Sequence, residues 1–311
     1  MPNPACDATQ IRLIRADNPS PLTGPGTNTY LLGQGEVTVI DPGPDLDSHL
    51  AALLAALGPG ERIAHILLTH AHLDHSALTP RLVAATGAPV LAYGPAHSGR
   101  SAVMTALAAQ GLTGAEGSDA GFAPDIEITD GQHLALSGLT LTALHLPGHM
   151  GCHMGFALGD QLFSGDHVMA WSTTLVSPPD GDMTAYMAAL HRLQSPHWAR
   201  FHPGHGPAVD NPQARLAELI QHRRTREAAI LTSLTTQGPA PAATLAARIY
   251  TDTPPHLLPA ATRNVLAHLI DLQCRNHVTA APGPLDRAIF HLSQSRDIFA
   301  AAPLRPRTAL L

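Results

Sequence analysis

Through the first two thirds of the chain, short apolar runs alternate with Gly- or Pro-marked turns and Ala-rich stretches. "NTYLLG" (28–33), "VTVIDPG" (37–43) and "AHILLTH" (64–70) read as strands. "DSHLAALLAALG" (47–58) and "HSALTPRLVAATG" (75–87) read as helices that stop at glycine. Further strands are predicted at "PVLAYG" (89–94), "LTLTALHLPGH" (139–149) and "QLFSGDHV" (161–168). Strands interleaved with helices imply an α/β layered core.

The pattern changes at "HPGHGPAVDNPQARL" (202–216). Beyond it, helices are predicted over 213–236, 242–248 and 259–276, followed by a two-stranded wing in "HVTAAPGPLDRAIFHL" (277–292). Three helices and a hairpin are the order of a winged-helix module. The expected division is therefore 1–211 for the α/β unit and 212–311 for a small C-terminal domain, with "AAPLRPRTALL" as a frayed tail.

Length and composition fit that division: 311 residues, 44% of them hydrophobic, can bury a sizeable core. Charge splits along the same line. Residues 1–215 hold 8 Arg against 18 acids, whereas residues 216–311 hold 10 Arg against 6 acids. All 18 basic residues are arginine, which reads as genomic bias and not as chemistry. The three cysteines, Cys6, Cys152 and Cys274, form no CxxC pair, so a disulfide framework is not expected. No secretory h-region and no membrane-length apolar run is visible, and a cytoplasmic location is expected.

The chemistry begins in "LTHAHLDHSAL" (68–78), where His70, His72, Asp74 and His75 crowd the end of an apolar run. Imidazole and carboxylate are ordinary ligands for zinc and its neighbours. In extended backbone His70 and His72 point to the same side, while Asp74 and His75 follow where the chain turns into a helix. Such a segment can serve two ions. Later strand ends add His149 in "LPGHMG", Asp166 in "FSGDHV" and His205 in "HPGHGP", each beside glycine, where backbone can approach closely.

In this order the motifs resemble the metallo-β-lactamase superfamily of binuclear hydrolases, over roughly residues 10–210. The resemblance implies an αββα four-layer sandwich and two divalent metal ions, zinc first, with manganese or iron as alternatives. It places His70, His72 and His149 on one ion and Asp74, His75 and His205 on the other, with Asp166 bridging. Asp41 in "VIDPG" would steady the ligand loop. "TGPGTNTYLLG", "MAWSTTLVSPPDGDM" and the C-terminal module narrow the resemblance to the β-lactamase-like protein 2 branch, which is endoribonuclease-like and carries a winged helix. Met150 stands where Thr or Ser is usual, so a hydroxyl contact there is in doubt.

Such a site implies hydrolysis by a metal-bridging hydroxide, with Asp74 as general base. Cys152 reads as a packed thiol. His153, Trp171, Ser172, Thr173 and Asn28 are candidate substrate contacts, and His145 a weaker one. Arg223, Arg226 and Glu227 read as a solvated helical face with an Arg–Glu pair. The leading function is a dinuclear hydrolase acting as an endoribonuclease on single-stranded RNA. The alternative substrate is a small thioester, ester or lactone, and the third class is a non-catalytic nucleic-acid-binding protein. No membrane partner is expected, and a homo-oligomer is left open.

Overall fold

Two mixed sheets lie face to face in the computed structural model, which describes residues 11–114 and 117–293. The first contains β1 (Ile11–Arg15), β2 (Asn28–Leu32), β3 (Glu36–Ile40), β4 (Arg62–Leu67), β5 (Val90–Ala92) and β6 (Ile126–Glu127), in that spatial order. Its first three strands pair antiparallel and the rest parallel. The second contains β7 (His133–Leu136), β8 (Leu139–His145), β9 (Met154–Leu158), β10 (Gln161–Gly165) and β11 (Arg200–Pro203), antiparallel except for the β10–β11 pair.

Alternation decides which faces meet. In β8, Leu141 and Ala143 are fully buried while Thr140 beside Leu141 is exposed, so one face turns inward. Those residues pack with Phe156 and Phe163 from their own sheet and Leu32, Ile40 and Leu67 from the other, forming the layer between the sheets. On the outer face of the first sheet, Leu53 of α1 (Asp47–Ala55) and Leu82 of a later helix complete a second cluster. The predicted single helix over 75–87 is instead two: α2 (Leu73–Ser76) and α3 (Thr79–Thr86). Pro80 explains the break, because its ring lacks the N–H that a continuous helix would use. α4 (Ala102–Ala109) was not legible in the pattern.

On the second sheet, α5 (Met183–Gln194) and the first half of α6 (Pro212–Gln237) bury Tyr186, Leu190, Leu216 and Leu219. The four layers are therefore helix, sheet, sheet, helix, as expected. The C-terminal elements also follow the sequence reading closely: α6, α7 (Ala242–Ile249), α8 (Leu258–Cys274), and a wing of β12 (Val278–Ala280) with β13 (Phe290–Leu292). The tail expected from Ala301 lies outside the described residues.

α6 begins at the expected boundary, yet it packs on both units. Leu216, Leu219 and Ile220 pack on the second sheet, whereas Ile230 and Leu234 belong to the C-terminal core with Leu245, Leu269 and Phe290. One helix thus shares its burial between both units, and neither can be lifted off without exposing it. Among the described residues, no helix is long and apolar enough to cross a membrane.

His268 sits inside the C-terminal core with neither ring nitrogen bonded among the described residues, and burial pushes its pKa down to about 3. The folded chain holds this imidazole neutral, while the unfolded chain protonates it below its ordinary pKa of about 6.5. Stability is therefore intact above that value and is lost as pH falls from there toward the folded one. A His268→Leu variant should shrink the stability loss between pH 7.5 and pH 5 by about 2 kcal/mol in urea unfolding. An unchanged loss would show that the imidazole is not held neutral.

Candidate metal centre

Every candidate ligand stands where a strand runs out. His70 follows β4, and His72, Asp74 and His75 lie in the turn and single helical turn after it. His149 lies between β8 and β9, Asp166 follows β10, and His205 follows β11. Ends of strands from both sheets thus open onto one edge of the sandwich. The ligand atoms of His70, His72 and His149 lie within 4.8 Å of one another, as do those of Asp74, His75 and His205. His70, His75 and Asp166 form a third such group that joins the two.

Glycine makes the approach feasible. At Gly204 an added Cβ would lie 2.4 Å from Asp166 Oδ1 and 2.6 Å from His75 Cε1. At Gly165, where φ is +48°, it would lie 2.7 Å from His153 Nε2.

Ring orientation is set from outside the cluster. His75 Nδ1 donates to Asp41 Oδ2 at 2.9 Å, and His149 Nδ1 donates to the Leu175 carbonyl at 2.7 Å. Thr69 Oγ1 gives its hydrogen to Asp41 Oδ2, so at 3.0 Å it accepts from His70 Nδ1. The opposite nitrogens face inward. His72 Nδ1 lies 3.0 Å from His70 Nε2 and 2.9 Å from His149 Nε2. With both neighbours protonated on their outer nitrogens, at most one proton serves these three inner atoms, and lone pairs confront each other. Burial, followed by the neighbouring His149, pushes His72 down to about 3, so added protons do not relieve the contact.

The other half is charged. Burial would lift the Asp74 carboxyl, but the His75 charge and the His205 hydrogen bond outweigh it and hold it at about 2. Burial likewise opposes His205, yet Asp166 and Asp74 raise it to about 9. Asp166 Oδ1 is buried without a hydrogen-bond donor, a costly state for a carboxylate oxygen. Confronted imidazole lone pairs beside an undersupplied carboxylate make a set suited to cations.

Asp41 does more than steady a loop. Its carboxylate accepts the Thr69 N–H and the Thr69 hydroxyl, both at 2.7 Å, besides His75, and its own φ is +54°. The turn leaving β3 is strained so that three groups of the ligand loop share one buried anion.

The candidate substrate contacts separate. Ser172 and Thr173 line a cavity of about 260 Å³ above the ligands, together with Pro21, Leu22, Met169 and Leu175. Asn28 is buried, and its amide donates to the carbonyls of Pro203 and Gly206, supporting the His205 turn. His153 is fully buried behind the candidate ligands, where its Nε2 accepts the Asp166 N–H at 3.2 Å. Trp171 is not among the cavity-lining residues; it packs close to Gly24 and Gly206. His145 donates to the Gly151 carbonyl and stacks on Tyr93. Cys152 is buried and its thiol is pushed up to about 11 by that burial, and Met150 packs in the same core cluster.

Sequence reasoning missed a set of supports from the C-terminal helices. Arg223 is 1% exposed, not part of a solvated face, and Glu227 pairs with Arg275 instead. The Arg223 guanidinium donates to the Thr174 carbonyl and to Asn264 Oδ1 at 3.1 Å; the same Asn264 oxygen accepts the Val176 N–H at 3.0 Å. Between them lies Leu175, whose carbonyl orients His149. Thr174 Oγ1 also donates to the Asp166 carbonyl at 2.7 Å. The one available signal was that Leu219 and Ile220 lie one turn before Arg223 on the same helix.

Comparison with known proteins agrees with this geometry. The metallo-beta-lactamase superfamily model matches residues 22–205, and the beta-lactamase associated winged helix domain matches residues 242–283. The Beta-lactamase-like protein 2 homolog of Caenorhabditis elegans is 29% identical over 281 residues, 88% of this chain and 86% of that one. The Atrochrysone carboxyl ACP thioesterase of Aspergillus fumigatus is 32% identical over 241 residues, 74% and 67% respectively. Lactamase-like protein adaB of Aspergillus niger is 32% identical over 72% of this chain, and the match spans only 63% of its own length. A metallo-beta-lactamase family protein of Thermus thermophilus shares the fold at 22% identity, with a TM-score of 0.73 over 91% of this chain and 99% of that one. The chain belongs to the metallo-beta-lactamase superfamily and carries an associated winged-helix domain.

Proposed function

We propose that the protein is a two-metal hydrolase of small acyl substrates, with thioesters first. In this reading His70, His72 and His149 would hold one ion and Asp74, His75 and His205 the other, with Asp166 available to both and zinc as the metal. Two such ions make hydroxide available at neutral pH and stabilise a developing oxyanion. Asp74 is the general base: its side chain is 29% exposed against 11% for Asp166, and it lines the cavity where substrate would lie. Ser172 and Thr173 are the polar groups in position to orient the substrate.

The observation that carries the choice of substrate is the cavity wall: Pro21, Leu22, Met169 and Leu175 form an apolar surround with no arginine in it. Several of the arginines that could gather phosphates are engaged within the protein. Arg223 serves backbone carbonyl and Asn264, and Arg215 donates to the carbonyls of Met169 and Ser172. Arg275 is paired with Glu227 and Asp271. A thioesterase among relatives at 32% identity supports the same choice. Single-stranded RNA has the weaker claim, since it rests on the branch resemblance, the winged helix and the arginine excess, none of which places a phosphate-binding group at the cavity.

With zinc supplied, the protein should hydrolyse model thioesters, and chelator or His70→Ala should lower turnover by about a thousandfold or more. Metal-dependent cutting of unstructured RNA with no acyl turnover would overturn the substrate assignment. A second measurement addresses the supports. Arg223→Met should weaken zinc binding to metal-free protein by about tenfold, as removal of an outer-shell partner typically does. Titration calorimetry reads this directly, and an unchanged affinity would exclude the coupling of Arg223 to His149.

A further inference from the structure

A second cavity, of about 620 Å³, shares four lining residues with the metal cavity: Ser20, Pro21, Leu22 and Leu175. From that common edge it reaches the C-terminal module, where Leu257, Pro259 and Ala260 at the start of α8 form the far wall. Thr113 and Gly114 flank it. Its size falls within the range of small-molecule sites.

We propose that this trough is an acyl subsite, holding the hydrocarbon or aryl part of the substrate while the scissile carbonyl lies over the metal centre. The inference rests on the acyl-hydrolase reading above. Three features point to an apolar occupant. Six lining residues are apolar (Pro21, Leu22, Leu175, Leu257, Pro259 and Ala260), beside His256 and Arg263, and none is acidic among the described residues. Arg263, the one arginine present, turns its guanidinium to the Ser177 hydroxyl at 2.8 Å and to the carbonyls of Thr113 and Pro178. It therefore clasps three segments of the wall together. Leu22 stands 55% exposed on the shared edge, apolar surface that a chain passing from one cavity to the other would cover.

Leu175 gives the subsite a mechanical link to the chemistry. Its side chain borders both cavities, and its carbonyl holds His149. Leu257 and Ala260 belong to the winged-helix module, so that module would select the substrate's chain length without touching nucleic acid. No covalent step is added by this assignment; the trough only binds.

The test is a chain-length series of N-acetylcysteamine thioesters, acetyl to octanoyl, with the zinc-loaded full chain. kcat/KM should rise by about two- to fourfold per methylene, the ratio that burying each CH₂ provides. Ala260→Phe, which fills the trough, should lower the octanoyl-to-acetyl ratio by about tenfold or more, and Leu257→Ser should lower it in the same direction. A ratio unchanged in both variants overturns the assignment. If no thioester of any length is turned over, the acyl-hydrolase reading fails by itself, and the trough is judged by fluorescence of N-phenyl-1-naphthylamine. Enhancement in the parent that Ala260→Phe abolishes supports an apolar subsite; no enhancement in the parent overturns it.

Discussion

Three imidazoles, those of buried His70 and His149 and half-buried His72, bring inner nitrogens to about 3 Å from one another with at most one proton to share. Two of them are committed by what holds the far side of the ring: Thr69 for His70 and the Leu175 carbonyl for His149. Left alone, such an arrangement is repulsive, and the side chains would rotate apart if they could. They cannot, because the outer bonds come from backbone and from groups themselves bonded elsewhere. The fold thus gives up stability to keep an electron-rich space intact, and the remaining features of the molecule follow from that requirement.

The two-sheet architecture answers it in one way. Ligands on a single element would share its fluctuations, whereas these seven arise from ends of strands in both sheets, whose facing surfaces are locked by Leu141, Phe156 and Phe163 against Leu32 and Leu67. Asp41 answers it in another. At φ +54° it accepts an unfavourable backbone so that one carboxylate can reach the Thr69 amide, the Thr69 hydroxyl and His75 together. Gly204 and Gly165 answer it sterically, since any side chain there would displace Asp166 or His153.

The candidate ligands that the fold gathers were legible because each belongs to a fixed local pattern, and local pattern is what a sequence displays. The layers were legible for the same reason, through alternation in β8 and the winged-helix order after Pro212. What escaped were contacts between residues far apart in the chain. Asn28 looked like a pocket residue because Asn is polar and lies in a Gly-rich turn; its partners Pro203 and Gly206 come from the far end of the unit. His153 follows a ligand by four positions, yet the strand it introduces carries it behind the cluster, to the Asp166 amide. Arg223 looked solvated because arginine usually is, and nothing local reveals that Thr174 and Asn264 await it.

Those long-range contacts also change the meaning of the charge split. Taken alone, an excess of arginine after residue 215 would suit a surface that gathers phosphate. In the folded chain several of these guanidiniums are structural donors: Arg223 to a carbonyl beside Leu175, Arg263 to the carbonyls of Thr113 and Pro178, and Arg275 to two acids. Arginine suits that task because its planar, permanently charged fork satisfies several acceptors at once. The C-terminal helices and the loop that orients His149 are consequently one bonded unit. How α6 and α8 seat on the sandwich therefore bears both on the Leu175 carbonyl that orients His149 and on the wall of the trough beside it.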